Sequence, residues 1–130
     1  MDRDLMKRWT RALRSGKYKQ GKKVMQDEKG RFCCLGVLAD ILGQETRQDL
    51  FGVSLNEFNL PDELKGFEAW PLQGARGDPT VRLTSKEISD FQKRYGAVNF
   101  GPNVTLAELN DSGFTFKRIA DIIERNADII

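Results

Sequence analysis

Residues 31–43, RFCCLGVLADILG, constrain the fold more than any other stretch of this chain. They contain the longest apolar run, residues 32–39, and they end at a glycine. The run is far too short to cross a bilayer, which takes about 20 apolar residues. It therefore belongs inside a folded core. Upstream, residues 18–30 are basic and punctuated by Gly21 and Gly30, and Asp27, Glu28, Lys29 and Gly30 have the polar residues and closing glycine of a tight turn. This pattern predicts two short strands, around 22–26 and 31–33, clamped onto the end of a helix over about 33–42. Cys34, Leu38, Ile41 and Leu42 form the apolar face of that helix, with Leu35 adjoining. Cys33, Gly36, Asp40 and Gly43 form a face of small residues, where another backbone approaches closely. Asp40 is expected to pair with a Lys or Arg of the basic segment; a capping or a functional carboxylate is the alternative.

At 130 residues the chain fits one domain, residues 1–130, large enough to bury a core without metal or disulfide help. Hydrophobic residues at 39% and charged residues at 31% indicate a soluble globular protein rather than a disordered or membrane-embedded one. The opening residues MDRDLMKRW lack the apolar stretch of a signal peptide, so a cytoplasmic location is expected. There the glycosylation sequon Asn103-Val104-Thr105 has no consequence.

The adjacent Cys33 and Cys34 argue against a disulfide scaffold, since a bond between neighbours closes a strained ring that a helix does not accommodate. Reduced, buried cysteines acting as small hydrophobes are expected, with a redox pair as the alternative. The chain has no histidine. That removes the usual general base, the Ser-His-Asp and Cys-His arrangements and the commonest metal ligand. An enzyme would have to run on carboxylates, Lys, Tyr or Arg, and nothing in the sequence brings a second carboxylate beside Asp78 or Asp111. No catalytic residue, metal or cofactor is expected. A turn role explains Asn110 and Asp111 adequately.

Net charge is only +2, but residues 1–31 carry eleven Lys/Arg against four Asp/Glu, whereas residues 32–130 carry ten against fifteen. Such asymmetry fits a patch for phosphates or an acidic partner. It fits equally a basic segment lying against an acidic remainder.

Helix signals recur along the chain. Asp2 or Asp4 is placed to cap a first helix running to about Ser15, with Leu5, Trp9 and Leu13 as one apolar stripe and Gly16 just past its end. Thr84-Ser85-Lys86-Glu87 is a capping box opening a helix over about 85–95, with Ile88 and Phe91 inward and Gly96 as its stop. Thr105-Leu106-Ala107-Glu108 is a second box, opening a short helix to about Asn110. Asn110, Asp111, Ser112 and Gly113 turn the chain, and Thr115 caps a last helix carrying Phe116, Ile119, Ala120 and Ile123. Residues 44–83 are irregular, with short helix or turn starts near Ser54 and Asn59 and a loop at 74–79. Residues 97–103 read as a connector or short strand.

Two motifs invite a functional reading. The string from Gly113 to Ala120 has the look of the opening of a helix-turn-helix, but only an acidic and apolar tail follows where a recognition helix is needed. Lys17, Tyr18, Lys19, Gln20, Gly21, Lys22 and Lys23 interleave cations with an aromatic and a glycine. Lysines neutralise phosphates and a tyrosine stacks a base, so the segment is a candidate for nucleotide or nucleic-acid contact, against the plain reading of a solvated turn. It is not a phosphate-binding P-loop, lacking the Ser/Thr after the lysine and a preceding strand.

The blocks KYKQG, RFCCLGVL and LNDSG, the last followed by IADII, together resemble a family of small proteins encoded by tailed bacteriophages and prophages. The resemblance covers the first 40 residues or so and about the last 25. It implies a viral accessory protein made in a bacterial cytoplasm and carries over no catalytic residues. The expected fold is α+β: a mainly helical single domain with a small antiparallel β-hairpin or sheet, its first, second and last helices sharing the core. The leading functional expectation is a non-enzymatic phage protein that binds and modulates a host protein, a defence factor for example. A small-ligand or nucleotide binder, a nucleic-acid binder and an enzyme follow in that order; no membrane contact is expected. The candidate binding residues are Tyr18, Lys19, Gln20, Lys22, Lys23, Asp40, Asn110 and Asp111.

Overall fold

The computed structural model describes residues 3–43, 80–95 and 103–130. The expectations for Asp2, for residues 44–79 with Asp78, for the stop at Gly96 and for all but Asn103 of the connector at 97–103 lie outside the described residues. The described part is a mainly helical α+β unit: α1 (Arg3–Arg14), α2 (Cys34–Ile41), β1 (Thr80–Arg82), α3 (Ser85–Tyr95), β2 (Asn103–Thr105), α4 (Leu106–Asp111) and α5 (Phe116–Arg125). None of these helices is long and apolar enough to cross a membrane.

The local signals act where expected. Leu5, Trp9 and Leu13 of α1 are buried, and the helix stops at Gly16, whose φ of +75° is one that a Cβ disfavours. Cys33 caps α2 with its thiol, Sγ accepting from the Gly36 N–H at 3.3 Å, and Gly43 ends it at φ +76°. Both capping boxes close. Thr84 N–H donates to Glu87 Oε1 at 2.8 Å and Thr105 N–H to Glu108 Oε2 at 2.9 Å, each carboxylate's own N–H returning the bond to the threonine hydroxyl. Thr115 caps α5 through the Arg118 N–H.

α1 packs on α5 and α2, α2 packs on α4, and α4 turns directly into α5. The first, second and last helices thus share the core, which centres on Trp9, Leu35, Val37, Leu38, Leu106, Leu109, Ile119 and Ile122. Trp9 also binds α1 to α2 chemically, its indole N–H donating to the Cys34 carbonyl at 2.9 Å. Every residue from Cys34 to Ala39 is buried, so α2 is a central helix rather than an amphipathic one. The close approach expected at its small-residue face occurs at Gly36: a Cβ there would lie 2.0 Å from the Met25 carbonyl oxygen.

The β structure lies elsewhere than expected. The two-stranded antiparallel sheet is β1 with β2, pairing Val81 with Val104, from segments that carry only one inward residue each. The segment at 20–33 has the expected turn, with Gly30 N–H donating to Asp27 O at 3.0 Å, but only isolated bridges around it. Phe32 is its centre. One edge pairs antiparallel with Gln26 and the other parallel with Gln20, so the chain doubles around residue 32 instead of forming a simple hairpin. Lys22 to Met25 are bends because the backbone must pass under α2 at Gly36.

Candidate functional site

The three conspicuous blocks meet at one buried amide. Asn110, on the last turn of α4, is fully buried. Its Oδ1 accepts from the Cys34 N–H at 3.1 Å and from Gln20 Nε2 at 3.0 Å, and its Nδ2 donates to the Gly21 carbonyl at 2.8 Å. Gln20 extends the network, donating to the Phe114 carbonyl at 2.7 Å and accepting from the Phe116 N–H at 3.1 Å. These two side chains satisfy backbone groups at the start of α2, the α4–α5 turn and the start of α5. Gly21 lets the loop lie close against Arg31, whose Cβ a side chain at residue 21 would meet at 2.9 Å. Asn110 and Gln20, expected as binding residues or turn formers, are thus the pins that hold the basic loop to the helices.

Asp111 belongs to the same joint. Its Oδ1 accepts from the Lys23 N–H at 2.8 Å. That bond holds Lys23 at φ +70°, the left-handed region rare for a residue with a Cβ. The loop is therefore fixed at both ends, while Lys17, Lys19, Lys22 and Lys23 all remain exposed. Four cations on a short, pinned loop form a pre-set positive edge.

Tyr18 and Asp40 find each other. The Tyr18 hydroxyl donates to Asp40 Oδ2 at 2.5 Å, and its ring stands edge-on to Phe32, centroids 5.0 Å apart. Burial pushes the phenol up to about 12, helped by the hydrogen bond to the Asp40 carboxylate and its charge. Asp40 was expected to pair with a cation of the basic segment. Its partner is instead the tyrosine of that segment, because the aromatic packs onto Phe32 and brings its hydroxyl to the end of α2. The pair fastens the loop's start.

The basic N-terminal segment lies partly against acidic residues, as one of the two charge readings expected. Arg14 bridges Asp121 at 2.6 Å and Glu124 at 2.5 Å on α5. No lysine of the 17–23 loop enters an ion pair among the described residues.

Arg94, at the end of α3, is the residue that sequence reasoning missed. Its Nη1 donates to the Gly113 carbonyl at 3.1 Å, and Lys22 reaches the same turn. No spacing in the sequence signals this. Among the described residues no group of three or more His, Cys, Asp or Glu is placed to hold a metal ion. Cys33 and Cys34 are both buried thiols, and Cys34 Sγ lies 3.6 Å from the Leu106 carbonyl.

The chain belongs to the DUF8296 family, described as a domain of unknown function, whose family model matches residues 1–127. No curated protein and no solved structure matches it.

Proposed function

We propose that this DUF8296 member is a non-enzymatic phage accessory protein that binds and modulates an acidic host component in the bacterial cytoplasm, with the 17–23 loop as its contact edge. The observation that carries this reading is the pinning of that loop. Gln20, Asn110 and Asp111 spend their hydrogen bonds on fixing it, and its lysines are exposed. A surface ordered before encounter loses less side-chain and backbone freedom on binding. Its single sign of charge favours fast, oriented encounter with a partner of opposite sign. The phage-like sequence blocks support a viral accessory role, and the same blocks build the joint beneath the loop.

Expression of the tagged chain in a bacterial host tests the reading, beside a variant with Lys17→Glu and Lys19→Glu. Both side chains are exposed, so the variant keeps the fold, which a melting curve checks. The expected result is a defined host component retained by the wild type, retained at least about tenfold less by the variant, and a matching change in host growth. Absence of any specifically retained component, with no effect on growth, defeats the reading.

A further inference from the structure

We infer that the turn at Gly113 is a binding site for a phosphate group, free or on a small molecule, gripped by Lys22 and Arg94. The inference uses the loop of the reading above and adds a ligand chemistry to it. Gly113 has φ +97° and no side chain. The point where its Cβ would sit lies 2.7 Å from Arg94 Nη1 and 3.9 Å from Lys22 Nζ. Two cations, one from the basic loop and one from α3, therefore come close to the same point of the turn, and the absence of a Cβ at Gly113 is what lets the Arg94 guanidinium sit there.

Arg94 is held there by its side chain, and Lys22 is presented there by a fixed backbone. The Gly113 carbonyl accepts from Arg94, whose guanidinium lies 5.8 Å from the centroid of the buried Phe114 ring. Lys22 is placed by Gly21 on one side, tied to Asn110, and by Lys23 on the other, tied to Asp111. A third cation, Arg118, lies 4.2 Å over the same ring but is matched by Asp90 at 2.6 Å. Among the described residues no carboxylate pairs with Lys22 or Arg94. The acid of the turn, Asp111, binds the Lys23 N–H and forms no ion pair with Lys22 or Arg94.

Like charges brought together repel, and a bound anion removes that cost. A phosphate suits the pair: its tetrahedral oxygens accept from a planar guanidinium and from an ammonium approaching at a different angle. The Tyr18 hydroxyl is bound to Asp40 and its ring stands edge-on to Phe32, so the phosphate contacts carry the recognition.

Calorimetric titration of the full chain at low salt with pyrophosphate and with ADP tests this, beside a DNA 20-mer. The expected result is saturable binding of both small ligands with similar affinity. Lys22→Ala and Arg94→Ala each weaken it about tenfold or more, as loss of a charge-assisted hydrogen bond does. Arg94→Lys, which keeps the charge and loses the fork, gives an intermediate loss and replaces Arg94→Ala should that variant melt early. Lys7→Ala, a charge-matched change on α1, binds as the wild type does. No binding of either small ligand, binding of the DNA alone, or an equal loss in Lys7→Ala overturns the inference. Host capture involves neither titrated ligand, and its variant leaves Lys22 and Arg94 intact. A silent titration with capture intact thus removes the phosphate site alone, and the reverse removes only the host reading.

Discussion

Asn110 connects more of this molecule than any other polar side chain described. Replacing it with Ala strands the Cys34 N–H and the Gly21 carbonyl, both buried, and frees Gln20. Each orphaned buried group costs ~1–3 kcal/mol, so Asn110→Ala is expected to lower stability by about 3 kcal/mol or more. Urea denaturation checks it: the midpoint falls with an unchanged slope. A loss below about 1 kcal/mol would mean that water replaces the amide. In the sequence Asn110 reads as a turn residue. Its real partners lie 76 to 90 positions away, and composition carries no trace of them. Tyr18 reads in the sequence as an aromatic among lysines; the fold adds a bond from its hydroxyl to Asp40 and an edge-on contact with Phe32.

Helix α2 shows how an element depends on what passes beneath it. Gly36 sits where a Cβ would lie 2.0 Å from the Met25 carbonyl, and backbone has nowhere to give. Gly36→Ala is expected to cost about 3 kcal/mol, at the upper end for overpacking, and to separate the 20–33 segment from α2. Gly43→Ala, at the end of the same helix, meets none of the described residues and carries the left-handed penalty of about 1–2 kcal/mol. Thermal melts of the two variants side by side check the difference; equal losses would mean that backbone conformation, not contact, governs Gly36. The helices themselves were legible. Capping boxes, stop glycines and apolar spacing involve residues within four positions of one another, and Thr84, Thr105, Thr115, Gly16 and Gly43 act as read. The strands were not. Three residues with one inward side chain leave no alternation to detect, and β1 finds β2 only across the length of α3.

Ion pairs add a pH dependence to the stability that the described core supplies. Burial alone would raise the Glu87 carboxyl, but the Thr84 N–H and the Arg125 guanidinium outweigh it and hold it below the usual range. Arg14 lowers Glu124, Arg118 lowers Asp90, and the Arg31 backbone and guanidinium lower Asp27. A carboxyl depressed in the fold binds its proton less well there than in the unfolded chain. Its stabilisation is complete above about pH 5 and disappears as pH falls through the folded values. Tyr18 has the opposite sign. With the phenol at about 12 in the fold, its contribution is complete below about pH 10 and is lost as pH rises through 12. Urea midpoints measured against pH should therefore form a plateau between about 5 and 9 with a fall on each side. Tyr18→Phe should flatten the alkaline fall and leave the acid one; an unchanged alkaline fall would contradict the placement of Tyr18 against Asp40.

What the chain settles without a fold is local: helix starts and stops, the buried character of residues 32–39, the exclusion of histidine chemistry and the uneven charge. These follow from composition or from contacts within a turn of helix, where spacing in sequence is spacing in space. The tertiary structure alone decides which polar residues are spent on the scaffold and which face outward. Gln20, Asn110 and Asp111 hold the loop, whereas the lysines it carries stay exposed. Such pairs form only after the helices pack, because burial leaves each amide and each backbone group a single satisfied arrangement, and sequence distance does not encode it.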